Sequence, residues 1–341
     1  MPHNEGVNTA AILRGNFRRE NGPAGPYRLI HISDPHLSRQ YYREHMKSLK
    51  LLLRLILDAG CDHLVITGDI VSTADPDDYY LARELFASYG LLHSDRFTVV
   101  PGNHDIFGGP HRAVDVLSFP QHIRSVDYYR RMELFNEAFA ECFAGVEQLV
   151  PNTQFPFIKK AGPFEILGLN SIAPWSLWDN PLGSNGVLDE AHFAALEQLE
   201  TAGNPKATRI VALHHHFNNL HDDAVQNSLW RKIESRTMRM KKRRKTMRLL
   251  SALQVSAVLH GHIHRNEIYS RNNLTFACGA GAVCDDPNKF LKYNEILHAD
   301  GDLRISMVTL AHPYQVSSVG VSRHRFRSAC AVPKFATGGA G

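Results

Sequence analysis

The sequence predicts an α/β protein: two mixed β-sheets packed face to face, with helices outside. Three observations carry that expectation. Apolar runs of strand length recur along the chain, and five of them stop abruptly at polar residues. Helix-periodic segments alternate with the first of these runs, and strands dominate later. The chain's 341 residues, 43% of them apolar, suffice for one large core.

Residues 1–26 are rich in Gly, Asn, Arg and Pro without periodicity and read as a disordered arm. Tyr27 to Ser33 is the first strand and delivers Asp34-Pro35-His36. Residues 41–59 show helical spacing, with Tyr42, Met46, Leu49, Leu53 and Ile56 on one side and Gly60 as the stop. His63 to Thr67 is a strand ending in Gly68-Asp69, and Asp77 to Tyr89 a helix ended by Gly90. Phe97 to Val100 is a strand stopped by Pro101-Gly102, after which Asn103-His104-Asp105 follows at once. Residues 106–150 read as an insertion, helical over Val126 to Phe143, whose Tyr128, Tyr129, Phe135 and Phe139 suit core or cap packing.

Phe155 to Lys159 and Phe164 to Asn170 flank Ala161-Gly162-Pro163 as a hairpin. Asp189 caps an amphipathic helix through Leu199. Arg209 to Leu213 is a strand ending in His214-His215-His216, and Val255 to Leu259 one ending in His260-Gly261-His262-Ile263-His264. Leu274 to Cys278 and two strands around Asp300-Gly301 are expected to close the second sheet. Residues 315–341 read as a disordered tail, so the folded domain is placed at 27–314.

Five cysteines, an odd number without C-x-x-C spacing, argue for a reducing compartment, and no secretory h-region is visible. No apolar run is long enough to span a bilayer. A cytoplasmic protein is expected. The net charge of +4 conceals an asymmetry: residues 231–248 carry +9 and the rest of the chain −5. Leu229, Ile233, Met240, Met247 and Leu250 give residues 229–250 the seam of a basic helix. A solvated face is the plain reading. An anionic polymer or an acidic membrane surface is the alternative partner.

Ligand sites in α/β proteins lie at the carboxyl ends of strands. Collected there are Asp34, His36, Asp69, Asn103, His104, Asp105, His214, His262 and His264. In Asp34-x-His36 and His262-x-His264, an extended backbone points both side chains the same way. Imidazoles, carboxylates and one amide oxygen suit first-row ions such as Mn, Fe or Zn. They are too many for one tetrahedral ion and enough for two sharing a carboxylate. Two such ions hold a hydroxide and clamp a phosphate for in-line attack. His31 reads as structural, and His260, His215 and His216 as lesser candidates.

Asp34-x-His36, Gly68-Asp69, Gly102-Asn103-His104-Asp105, His214 after its apolar strand, and Gly261-His262-x-His264 together resemble the signature of calcineurin-like metallophosphoesterases. The resemblance implies the metallophosphatase fold, a four-layer αββα sandwich. It implies two divalent or mixed-valence metal ions: one on Asp34, His36, Asp69 and His264, the other on Asp69, Asn103, His214 and His262. Asp69 bridges. It implies catalytic roles for His104, beside the phosphate, and Asp105, fixing the His104 imidazole. Asp-x-His, Leu-His-His-His and Gly-His-Ile-His are similar to bacterial class III cyclic-nucleotide phosphodiesterases. Phe217-Asn218-Asn219 stands where that group commonly has proline. The expected function is therefore hydrolysis of phosphodiesters, cyclic nucleotides among them, or of phosphomonoesters. The alternatives are a membrane-associated hydrolase of a pyrophosphate-linked lipid precursor and an inactive scaffold on the same fold.

Overall fold

The computed structural model describes residues 25–110, 113–202, 207–218, 238, 240–279, 281–283, 290–299, 301–311 and 330–331. The arm at 1–24, most of the basic segment before Met240 and nearly all of the tail lie outside them.

Strands β1 (Tyr27–Ile32), β2 (His63–Thr67) and β3 (Phe97–Val100) run parallel, register pairs including Leu29 with His63 and Leu64 with Phe97. Helices α1 (Arg43–Asp58) and α2 (Pro76–Ser88) make the crossovers. Helix α1 buries Leu49, Leu52, Leu53 and Ile56, whereas Tyr42 stays at its amino end, exposed. Helix α2 begins where the Asp75 side chain accepts the Asp77 N–H and Pro76 fills the first turn.

After β3 come α3 (Asn103–Phe107), α4 (Ala113–Ser125), α5 (Tyr128–Ala138), a 3-10 turn (Ala140–Phe143) and the short β4 (Glu147–Gln148). The insertion is thus more helical than expected. Phe135 and Phe139 are buried, as core packing requires, while Tyr129 is exposed. The hairpin β5 (Phe157–Ala161) and β6 (Phe164–Gly168) follows, then α6 (Glu190–Thr201), whose Asp189 cap accepts the His192 N–H. Next are β7 (Thr208–Ala212), α7 (Arg243–Ala252), β8 (Ala257–His260), β9 (Ile268–Arg271), β10 (Leu274–Cys278), β11 (Phe290–Ala299), β12 (Asp302–Ala311) and the two-residue β13 (Cys330–Ala331).

The sheet orders are β13-β12-β11-β1-β2-β3 and β4-β5-β6-β7-β8-β10-β9. Two expectations change here. The long hairpin β11–β12 does not close the second sheet: β11 pairs antiparallel with β1, Leu29 opposite Ile296. Strand β9, unforeseen, pairs with β10 across Asn272-Asn273. Both asparagines adopt positive φ, which suits a two-residue hairpin turn.

Leu29, Ile66 and Val99 of the first sheet share one core with Ile166, Ile210 and Leu259 of the second. Residues α1 and α2 bury join that core, so those helices cover the first sheet. The alternate residues Leu167, Val211 and Val258 pack with Phe193 and Leu196 of α6 and Met247 and Leu250 of α7. The period-2 alternation of β6, β7 and β8 therefore separates an inner from an outer face. The result is helix, sheet, sheet, helix, the expected αββα sandwich of two mixed sheets.

Candidate metal centre

Strands β1, β2, β3, β7 and β8 finish at one edge of the sandwich, and the residues beyond them leave the extended conformation. Asp34, His36, Asp69, His262 and His264 have φ of 55°, 45°, 51°, 76° and 51°. This left-handed region is uncommon for residues other than glycine and is retained where the surroundings enforce it. The expectation of extended i, i+2 pairs is thus corrected: both Asp-x-His and His-x-His lie in tight turns. Gly68, at φ 88°, makes the turn before Asp69 possible. A Cβ on Gly68 would stand 2.6 Å from the Gly102 nitrogen and from His214 Nδ1.

The polar atoms gather on two sides of Asp69. On one, His36 Nε2 is 3.2 Å from His264 Nε2 and 3.8 Å from Asp69 Oδ2. His264 Nε2 is 3.6 Å from Asp34 Oδ1. The His262 N–H donates to both Asp34 oxygens at 3.0 and 3.2 Å and fixes that carboxylate. On the other side, His214 Nε2 is 3.0 Å from Asn103 Oδ1, 3.1 Å from His262 Nδ1 and 3.4 Å from Asp69 Oδ2. Asp69 Oδ1 accepts the His104 N–H at 2.7 Å. Asp34, His36 and His264 form one group with ligand atoms within 4.8 Å of one another, and Asp69, His214 and His262 form another. His36, Asp69 and His104 form a third between them.

Burial first, then neighbouring imidazoles, pushes His36 and His262 well below the ordinary histidine range, so both are neutral. Burial also opposes charge on His214, but the Asp69 carboxylate outweighs it and raises His214 to about 9. Asp69 is held below the usual carboxylate range against its own burial, by His214 and then His104. His214 Nδ1 donates to the Thr67 carbonyl at 2.8 Å, so the proton held between His214 and Asp69 stands on Nε2. A cation can replace that proton. Two carboxylates, an amide oxygen and four imidazoles facing one another, with few hydrogens to share among them, are a donor set that fits two first-row ions.

His104 and Asp105 differ from expectation in one respect. The His104 ring stands nearly perpendicular to that of His36, centroids 4.6 Å apart, and its buried Nδ1 has no hydrogen-bond partner among the described residues. Asp105 does not hold that ring. Its Oδ1 accepts the Val71 N–H at 2.9 Å and its Oδ2 the Gly102 N–H at 2.8 Å. It ties together the two loops that carry Asp69 and Asn103.

Sequence reasoning missed a sixth strand end. Strand β6 is parallel to β7, so Asn170 and Ser171 reach the same edge. Ser171 Oγ is 2.8 Å from His215 Nδ1, and the His215 ring lies 4.6 Å from that of His262. The signal was an apolar strand stopping at Asn-Ser, as the others stop at aspartate or histidine. His31 bonds Thr67 Oγ1 and Asn294 in the core, and His260 bonds the Tyr269 hydroxyl. In the described part of the basic segment, Lys242 pairs with Glu190 at 2.5 Å and Lys245 with Glu197 at 3.2 Å. Both ammonium groups also lie over the Phe193 ring, at 5.5 and 4.2 Å.

A profile of the family described as calcineurin-like phosphoesterase matches residues 27–266. No curated protein matches. Among solved structures, a dimetal phosphatase from Danio rerio is 12% identical, with 84% of this chain and 100% of that one covered and a TM-score of 0.53. A candidate 5′-nucleotidase from Staphylococcus aureus is 14% identical, over 88% of this chain and 56% of that one, with a TM-score of 0.48. At these identities the likeness is one of fold.

Proposed function

The chain belongs to the calcineurin-like phosphoesterase family, and from that premise we propose that it is a phosphodiesterase whose dinuclear centre is built on Asp69. Membership makes it a metal-dependent hydrolase of phosphoester bonds. Preference for diesters, cyclic nucleotides among them, is the finer reading. The observation that carries the centre is the position of one atom: Asp69 Oδ2 lies between His36 Nε2 at 3.8 Å and His214 Nε2 at 3.4 Å.

In this reading Asp34, His36, Asp69 and His264 would hold one ion and Asp69, Asn103, His214 and His262 the other. Mn, Fe and Zn all suit that donor set. Bound metal supplies Lewis-acid polarisation of the phosphate and an acidified water as the nucleophile. The protein supplies position. The His262 N–H and the His104 N–H fix Asp34 and Asp69, and the Thr67 carbonyl fixes the His214 tautomer. His104, whose ring lies 4.6 Å from that of His36 with Nδ1 unpartnered among the described residues, would stand beside a bound phosphate and give a ring proton to the leaving-group oxygen. Asp105 keeps the loop geometry, and burial, then the neighbouring Asp69 carboxylate, raises its own carboxyl to about 8. Intact candidate ligands favour an enzyme over a scaffold.

The test loads the purified chain with Mn(II), Fe(II) or Zn(II) and compares bis-p-nitrophenyl phosphate, p-nitrophenyl phosphate and cyclic nucleotides. Faster turnover of the diesters, abolished by chelation and restored by metal, is expected. Preference for the monoester would overturn the diesterase reading.

A further inference from the structure

The segment from Ile172 to Gly186 leaves the catalytic edge at the end of β6 and returns before α6. Ile172 pairs with Gly186, and Ser176 with Asn180. The turn is braced from within. Ser176 Oγ accepts the N–H groups of Trp178 and Asp179 at 3.4 and 3.3 Å, and Asn180 Nδ2 donates to the Ala173 carbonyl at 2.8 Å. Trp175 Nε1 donates to the Pro181 carbonyl at 3.2 Å. At the tip of this fixed turn stand Leu177, 63% exposed, and Trp178, 84% exposed.

The base of the turn is tied to the centre. Ile172 belongs to a small core with Ile106, Phe107 and Ile123, and Trp175 packs against it. Ile106 and Phe107 are the residues of α3 that follow His104 and Asp105. The tip therefore rides on the same unit as the centre's helix. Nearby, the Arg124 guanidinium lies 5.1 Å over the Trp175 ring, and Tyr128, whose hydroxyl donates to the Ile172 carbonyl, precedes a 72% exposed Tyr129.

We propose that Leu177 and Trp178 insert into a lipid surface, docking the molecule with its catalytic edge toward the bilayer. Three features select lipid as the occupant. Two side chains cover at most a few hundred Å², well short of the roughly 800 Å² per partner of a stable protein interface. Tryptophan, tyrosine and arginine are side chains that settle at a lipid–water boundary with an apolar body and a polar end. Asp179 beside the tip means that apolar insertion, and not attraction to anionic headgroups, holds the contact. The basic helix is a poorer candidate, because two of its lysines are already paired with α6.

The experiment co-sediments the full metal-loaded chain with vesicles of phosphatidylcholine, alone and mixed with phosphatidylglycerol. Wild type is expected to bind both, and to keep binding at about 0.5 M salt, where charge attraction is screened within several Å. Leu177→Ser with Trp178→Ser is expected to lower partitioning roughly tenfold or more, with hydrolysis of soluble bis-p-nitrophenyl phosphate unchanged. No binding by wild type, or equal binding by the variant, would overturn the proposal. So would binding confined to phosphatidylglycerol and lost in salt, which assigns the contact to basic residues. A dimer that the double variant dissociates would also overturn it, by making a second copy the occupant. Failure to cleave any phosphoester would strike the proposed function and leave this contact standing.

Discussion

Asp69 and Asp105 are both buried carboxylates at strand ends, yet what each oxygen touches gives them different work. Asp69 turns Oδ2 toward two histidines; Asp105 spends both oxygens on backbone N–H groups. Asp69→Asn is therefore expected to lower bound metal at both positions, read by elemental analysis of the purified variant. Asp105→Ala is expected to strand two buried N–H donors and lower stability by about 2–5 kcal/mol, read from urea unfolding. His104→Ala is expected to keep its metal and lose roughly 10²–10⁴ in kcat, the range for a missing acid. Loss of metal instead would make His104 a ligand.

At the scale of elements, the strands that carry the site were legible because each pairs a short apolar run with an abrupt polar stop. Helix α6 was legible from Asp189 and its periodicity. Sheet membership was not: nothing local in Phe290–Ala299 says that it pairs with Tyr27–Ile32, far away in sequence. Strand β9 was missed because Ile268–Arg271 has little apolar character and only the Asn272-Asn273 turn marks it. The role of Asp105 was misjudged because sequence adjacency to His104 suggested contact, whereas α3 turns the carboxylate back toward Val71 and Gly102. The turns at the ligands follow from glycines such as Gly68. Gly68→Ala combines a left-handed penalty of about 1–2 kcal/mol with a clash at the Gly102 nitrogen. A lower urea midpoint and loosened metal are expected together; an unchanged midpoint would show that the turn tolerates a Cβ.

Across the whole molecule, buried neutral histidines set the response to acid. Burial, with Lys159 adding to it, lowers His63 from 6.5 to about 3, and burial with His260 lowers His31 to about 3. The unfolded chain takes up these protons first, so stability present above pH 6.5 is lost as pH falls from there toward 3. Urea midpoints measured at intervals below neutrality are expected to fall, and His63→Gln to make the fall shallower. The centre has a mechanical side as well. Asp34, His36, Asp69 and Asn103 follow strands of one sheet, whereas His214, His262 and His264 follow strands of the other. An ion held by residues from both would rivet the sandwich, adding to the apolar core and to a few polar links between the layers, such as Lys159 Nζ to the Phe97 carbonyl and the His262 N–H to Asp34. Ligands that bind only the folded state raise its stability with concentration. Stripping the metal is therefore expected to speed amide hydrogen exchange first at the carboxyl ends of β2 and β8, where the two sheets would begin to part like the covers of a book with its clasp undone.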